Sequence, residues 1–171
     1  PGYALRFGGN GSAEVGPTPA ALNRFPLTVM AWFKTCQSEQ TSLINKYASG
    51  SLNGYQLFLV DGHIRAWYFR SASSYVWEGG QGLDGGPVDD GRWHHAALVV
   101  DASGGRLYVD GELRHALPWS GPSAQPGPTT TTEPVRFGIY PGGAPIAVPY
   151  SGRLEGVSFW DSALTFEQIQ T

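Results

Sequence analysis

The chain has 171 residues, a formal net charge of −3, 15% charged residues, 24 Gly, 13 Pro and 13% aromatics, which is the mixture of a single turn-rich β domain with a sizeable core. Its nine Arg and two Lys stand singly along the sequence, so no basic stripe is expected, and nucleic acid and anionic membranes are poor partners. No apolar run approaches the roughly 18 residues that a membrane-spanning helix needs. In chain order, "YALRFGG" and "AEVG" read as a short strand pair around the bend Gly8 to Ser12. "FPLTVMAWFKT" is a long strand, with Leu27, Val29, Ala31 and Phe33 on one face and Thr28, Met30, Trp32 and Lys34 on the other. "TSLINKY" follows, then "GYQLFLVDGHIRAWYFR", two strands joined through the hairpin signal Asp61-Gly62. "SYVWEGG" is a further strand before the loop "QGLDGGPVDDG"; "WHHAALVVD" and "RLYVDGELRHA" come next, with a second Asp-Gly at Asp110-Gly111. The Pro/Thr-rich segment from Leu117 to Pro134 lacks ladder donors at its prolines and reads as a long surface loop. "VRFGIYPGG" and "SGRLEGVSFWD" are the last strands, and "SALTFEQIQ" predicts one short helix over Ala163 to Gln170, with Ser162 as N-cap and Leu164, Phe166 and Ile169 on its buried face. The alternation alone gives an all-β, two-sheet antiparallel sandwich.

Pro1 to Phe7 lacks the basic start and apolar centre of a signal peptide, and without an initiator Met residues 1–171 read as one domain of a larger multidomain protein. The single Cys36 excludes an internal disulfide and multi-cysteine zinc motifs; it is expected near a strand end as a small hydrophobe or free thiol. His94 and His95 are neighbours on a strand, so they point to opposite faces and cannot share one metal or flank one substrate. The expected reading is a hairpin with a hydrogen-bonded buried histidine and Trp93 in the core.

The segments "ALRFGG", "LTVMAWFKT", "GYQLFLVDGHIRAW", "GRWHHAALVVDASGGRLYVDGEL" and "YSGRLEGVSFWDSALTFEQI", in that order, resemble the laminin-G-like, concanavalin-A-like jelly-roll family in its bacterial form. The resemblance implies two packed antiparallel sheets, one with a concave outer face. It also implies a non-catalytic, lectin-like or adhesion module of an extracellular or cell-surface protein, often carbohydrate-binding. Many members hold a calcium ion where the chain ends meet. In this sequence only Asn10 and Glu155 are candidate ligands, a weak oxygen set, so calcium is a structural option and no cofactor is required.

The residues themselves point to sugar recognition, in which aromatic rings meet the apolar faces of pyranosides and polar side chains bond the hydroxyls. Across the Asp61-Gly62 hairpin, Tyr55, Leu57, Leu59, Ile64, Ala66 and Tyr68 share one face; Gln56, Phe58, His63, Arg65, Trp67 and Phe69 share the other. The ligand candidates are His63, Arg65 and Trp67 on this sheet and Trp77, Trp119 and Tyr140 in loops. Two alternatives stand beside them: Trp67 and Phe69 as core, and Trp119 as a plug of its own sandwich. The rival functions are a protein-interaction or adhesion module on the same surface, and a glycan-cleaving enzyme. The enzyme is disfavoured, because the seven Glu are isolated, no strand offers an i, i+2 or i, i+4 carboxylate pair, and no nucleophile elbow occurs.

Overall fold

The computed structural model describes residues 3–16, 19–140 and 148–170. Among these, β1 (Leu5–Gly8), β3 (Leu27–Lys34), β9 (Trp93–Asp101), β10 (Gly104–Val109), β11 (Glu112–Leu117) and β13 (Ser151–Trp160) form a sheet in the order β1-β13-β3-β9-β10-β11. The second sheet holds β2 (Ala13–Glu14), β12 (Arg136–Phe137), β4 (Thr41–Ala48), β5 (Asn53–Val60), β6 (His63–Ser71) and β7 (Ser74–Val76) in that order, with β8 (Leu83–Pro87) also on β6. Every strand pairing is antiparallel, and the result is a jelly-roll sandwich. Leu27, Val29, Ala31 and Phe33 meet Ala96, Leu98 and Val100 beside them and Leu57, Leu59, Ile64 and Ala66 across the sandwich, in one continuous core. Each such side chain contributes about 1.5–3 kcal/mol through burial. The two Asp-Gly turns do what their residues allow: φ is 51° and 75° at Asp61 and Gly62, and 53° and 74° at Asp110 and Gly111.

Several expectations change. β1 and β2 do not pair with each other: β1 joins β13 in one sheet, and β2 joins β12 in the other, so the glycine bend crosses between sheets. The supposed loop after Trp77 contains β8, whose glycines fit where it packs on β6. The helix α1 is shorter, Phe166–Ile169, with Thr165 at its N-cap and the Thr165 N–H donating to Gln168 Oε1 at 2.9 Å. Ser162 is not the cap, because the N–H groups it would receive go elsewhere: Leu164 N–H donates to Thr28 Oγ1 at 3.0 Å and Thr165 N–H to Gln168 Oε1. Leu164 and Ile169 are buried against Ala97, Val99 and Tyr108 on the outer face of the first sheet, whereas Phe166 is 42% exposed. Trp93 is half-buried on that same outer face, opposite Lys34, and not in the core.

The Pro/Thr-rich segment is a strap rather than a free loop. Its prolines cannot donate, but its carbonyls accept from side chains of the second sheet. Tyr68 Oη donates to Gly127 O at 3.0 Å, Ser74 Oγ to Gln125 O at 2.6 Å, and Lys46 Nζ to Glu133 O at 2.7 Å. Thr129 and Thr131 are buried, and burial lowers the Lys46 pKa to about 8 against the opposing pull of the Glu133 charge.

Candidate functional site

Alternation along β4, β5 and β6 leaves one side of the second sheet for the core and sets the other side apart. Register then assembles rows on that outer face. Asn45 lies opposite Gln56, and Gln56 opposite Trp67. One pair along, Ser42 lies opposite Phe58, and Phe58 opposite Arg65. His63, Arg65, Trp67 and Phe69 share this face as the period predicts, while Ile64, Ala66 and Tyr68 enter the core.

Aromatic rings pave the face. The Trp67 ring is 4.3 Å from Phe58 and 5.6 Å from Tyr47, between centroids, and Phe69 lies 5.1 Å from Tyr75 and 6.1 Å from Trp77. Burial pushes the Tyr47 phenol up to about 12, and the neighbouring Tyr140 phenol adds to the effect. Trp67 and Trp77 therefore belong to one aromatic surface, joined through Phe69. Among and beneath the rings, Ser42 Oγ, Asn45 Nδ2, Gln56 Oε1, Arg65 Nε and Trp67 Nε1 are buried without a hydrogen-bond partner. An unmet buried polar group costs about 1–3 kcal/mol, and five of them gather on this one face. Asn45 is held by its other amide atom, Oδ1, which accepts the Tyr47 N–H at 3.3 Å.

The charges here are already balanced. Asp84, on β8 beside β6, accepts from Arg65 Nη2 at 3.1 Å, pairs with His63 Nδ1 at 2.9 Å, and takes the Gly86 N–H at 2.8 Å. Burial raises the Asp84 pKa, but the Gly86 N–H, His63 and Arg65 together more than offset it, and the carboxylate is held below its usual range. With its charge countered, Arg65 keeps a free Nε donor for a neutral acceptor.

Trp119 stands apart from this surface. Its Nε1 donates to Asp101 O at 2.8 Å, and its ring lies edge-on 5.6 Å from Tyr68 and 6.1 Å from Phe25, packed against the core. It plugs the sandwich and does not join the other candidates. Asn10 and Glu155 are not brought together either: Glu155 lies opposite Trp32, four residues along β13 from Ser151, which is the partner of the last residue of β1. Those four residues span about 13 Å, and Asn10 lies beyond that end, so the pair does not form one calcium site. No group of three or more His, Cys, Asp or Glu suited to a metal occurs among the described residues. His94 and His95 do take opposite faces. His94 bridges Asp110 Oδ2 at 2.8 Å and Asp90 Oδ1 at 3.1 Å, and the His95 ring lies tilted against Trp32, 5.1 Å between centroids. Cys36 is exposed just past β3.

Sequence reading missed Ser42, Asn45 and Asp84. Asn45 had a signal, a polar residue within the apolar strand "SLINKY"; Asp84 had none, since only strand pairing places it beside Arg65.

A two-sheet antiparallel jelly roll with a polar and aromatic face on one sheet defines a class of lectin-like domains. Residues 7–170 match the laminin G type of the concanavalin A-like lectin/glucanases superfamily, and the chain belongs to that family. No curated protein matches the sequence. Solved structures that resemble it include domain 4 of AbnA, a GH43 extracellular arabinanase from Geobacillus stearothermophilus, in complex with arabinotriose; the identity is 17%, the coverage 98% of this chain and 74% of that one, and the TM-score 0.67. The CBM40 of the Ruminococcus gnavus IT-sialidase, bound to α2,3 sialyllactose, is 17% identical, with 97% and 94% coverage and a TM-score of 0.67. Mouse laminin α1 domains LG4-5 are 17% identical with a TM-score of 0.66; the match covers 92% of this chain but only 42% of theirs. At these identities the likeness is one of fold.

Proposed function

We propose that this domain is a non-catalytic carbohydrate-binding module whose glycan seats on the outer face of the second sheet, over Trp67, Gln56, Asn45 and Arg65. The observation that supports this reading most directly is the row of unpartnered polar atoms set among aromatic rings. A sugar has alternating apolar ring faces and equatorial hydroxyls; the half-buried Trp67 and Trp77 offer surface to the former, and Asn45 Nδ2, Arg65 Nε and Gln56 Oε1, closed to solvent in the free domain, offer donors and an acceptor to the latter once a ligand reaches them. A binding role without chemistry fits the carboxylate of this face, because Asp84 is engaged by Arg65 and His63 and its charge is already answered. We place the domain in an extracellular or cell-surface protein as one part of a larger polypeptide; no helix among the described residues is long and apolar enough to cross a membrane.

A glycan array, followed by titration of the best neutral oligosaccharide, tests the proposal. Trp67→Ala and Gln56→Ala should each weaken binding by about tenfold or more, the loss of a stacked ring or of one well-made hydrogen bond. No binding on the array with folded protein, or unchanged affinity in both variants, would remove the site.

A further inference from the structure

The cations that stand singly in the sequence do not all stay apart in space, which overturns the expectation that no basic stripe exists. Register on the first sheet sets Arg6 of β1 opposite Arg153 of β13, and Arg153 opposite Lys34 of β3. The next strand continues the row with Trp93, opposite Lys34. Their neighbours Phe7, Leu154 and Phe33 enter the core, so the three cations share the outer face, opposite in the sandwich to the glycan surface above. Neighbouring strands are about 4.8 Å apart, so the row runs about 14 Å from Arg6 to Trp93. Arg6 and Arg153 are exposed, and with Lys34, Thr35, Ser151 and Cys36 they border a depression of about 570 Å³.

None of the three cations has an ion-pair partner among the described residues, whereas Arg65, Arg92, Arg106, Arg114 and Arg136 are all paired. Glu155, two residues along β13, lies opposite Trp32 and pairs with none of them. Like charges directly opposite one another destabilise a sheet. Arg153 has one on each side, and the fold gains nothing from that placement.

We infer that the Arg6–Arg153–Lys34 row is a second ligand site, which takes the carboxylate or sulfate groups of an acidic polysaccharide with a sugar ring against Trp93. Three neighbouring cations answer several anionic groups carried on one chain. Asp90 adjoins Gly91, which lines the depression, and the domain is net negative, which disfavours a densely charged duplex. The choice of a glycan among polyanions rests on the carbohydrate-binding reading above; the cationic row itself does not.

The test uses three probes on the intact domain: a heparin-derived oligosaccharide carrying sulfate and carboxylate, a polygalacturonate oligomer carrying carboxylate alone, and a neutral oligosaccharide of equal length. At least one anionic chain should bind, with affinity falling as salt rises from 0.05 to 0.5 M, and R6Q/K34Q/R153Q should lose at least about tenfold. Which anionic probe binds separates sulfate from carboxylate recognition. The single variant Arg153→Gln should keep or slightly raise the melting temperature of the free protein, which shows that lost binding is not lost folding. Failure of both anionic probes, unchanged affinity in the triple variant, or equal binding to a short DNA duplex would each overturn the inference. Loss of anionic binding in Trp67→Ala but not in the triple variant would also overturn it, while leaving the glycan reading in place. Conversely, anionic binding through the row with no neutral glycan bound would sustain the second site and sink the first.

Discussion

Replacing Trp119 by Ala separates the two roles that tryptophans play in this domain. The ring packs edge-on against Tyr68 and Phe25 and its Nε1 donates to the Asp101 carbonyl at 2.8 Å. Full burial of such a ring is worth about 3–5 kcal/mol on truncation, each aromatic pair included adds about 0.5–1.5 kcal/mol to its area term, and the hydrogen bond contributes about 1 kcal/mol. Trp119 is only partly buried, so we expect a loss near the lower end, about 3 kcal/mol. For a domain of this size that is a fall of about 6–12 °C in melting temperature. Calorimetric unfolding of Trp119→Ala, run beside a glycan titration of the same protein at a temperature where it is folded, gives both readouts. Affinity should be unchanged. A stable variant with lost binding would mean that Trp119 faces a ligand and that its packing contributes little, and the separation drawn between the two tryptophans would be wrong.

Two further outcomes follow from particular atoms. At Gly54, where φ is 125°, an added Cβ would run into the carbonyl of Lys46 on the neighbouring strand, so Gly54→Ala should cost about 3 kcal/mol or more in denaturant unfolding; a near-neutral result would mean that β4 and β5 separate more easily than their pairing suggests. Burial alone lowers the His94 pKa, but hydrogen bonds and charge from Asp110 and Asp90 more than offset it, so the folded value is raised above the ordinary histidine range. That stabilisation is complete below the unfolded pKa and is lost as pH rises through the folded one. His95, whose pKa burial lowers against the pull of Asp110, changes in the opposite sense. The informative quantity is therefore the melting temperature of wild type minus that of His94→Gln, which should shrink as pH rises above about 6.5; a constant difference would mean that His94 is neutral throughout.

The parts of this fold that were legible are those set by residues near one another in sequence. Period-two alternation separated the two faces of β3, β5, β6 and β9, although it took the face of β9 that carries Trp93 for the core side, and Asp61-Gly62 and Asp110-Gly111 fixed two hairpins, because a strand's alternation and a turn's φ are local properties. What failed was non-local. "ALRF" and "AE" look like a hairpin, yet they sit in different sheets, because their partners are β13 and β12, more than a hundred residues away. The helix start moved for the same kind of reason: Ser162 has the chemistry of a cap, but Thr28 of β3 takes the Leu164 N–H that it would receive.

The candidate sites show the same division more sharply. His63, Arg65 and Trp67 lie i, i+2 on one strand, and alternation alone placed them together. The atoms that give them meaning come from other strands: Asn45 and Gln56 from β4 and β5, and Asp84 from β8. Asp84 changes the chemistry, since the arginine that the sequence offered as a sugar-binding candidate is neutralised in the fold and left with one donor for a neutral partner. The opposite happens on the other sheet. Arg6, Lys34 and Arg153, unremarkable singly, become the unpaired cationic row because β1, β13 and β3 are neighbours. Charge on a β-sheet is a property of rows across strands rather than of runs along them. A scan for basic stretches along the chain therefore sees neither the charge that Asp84 cancels on one sheet nor the row that accumulates across the other.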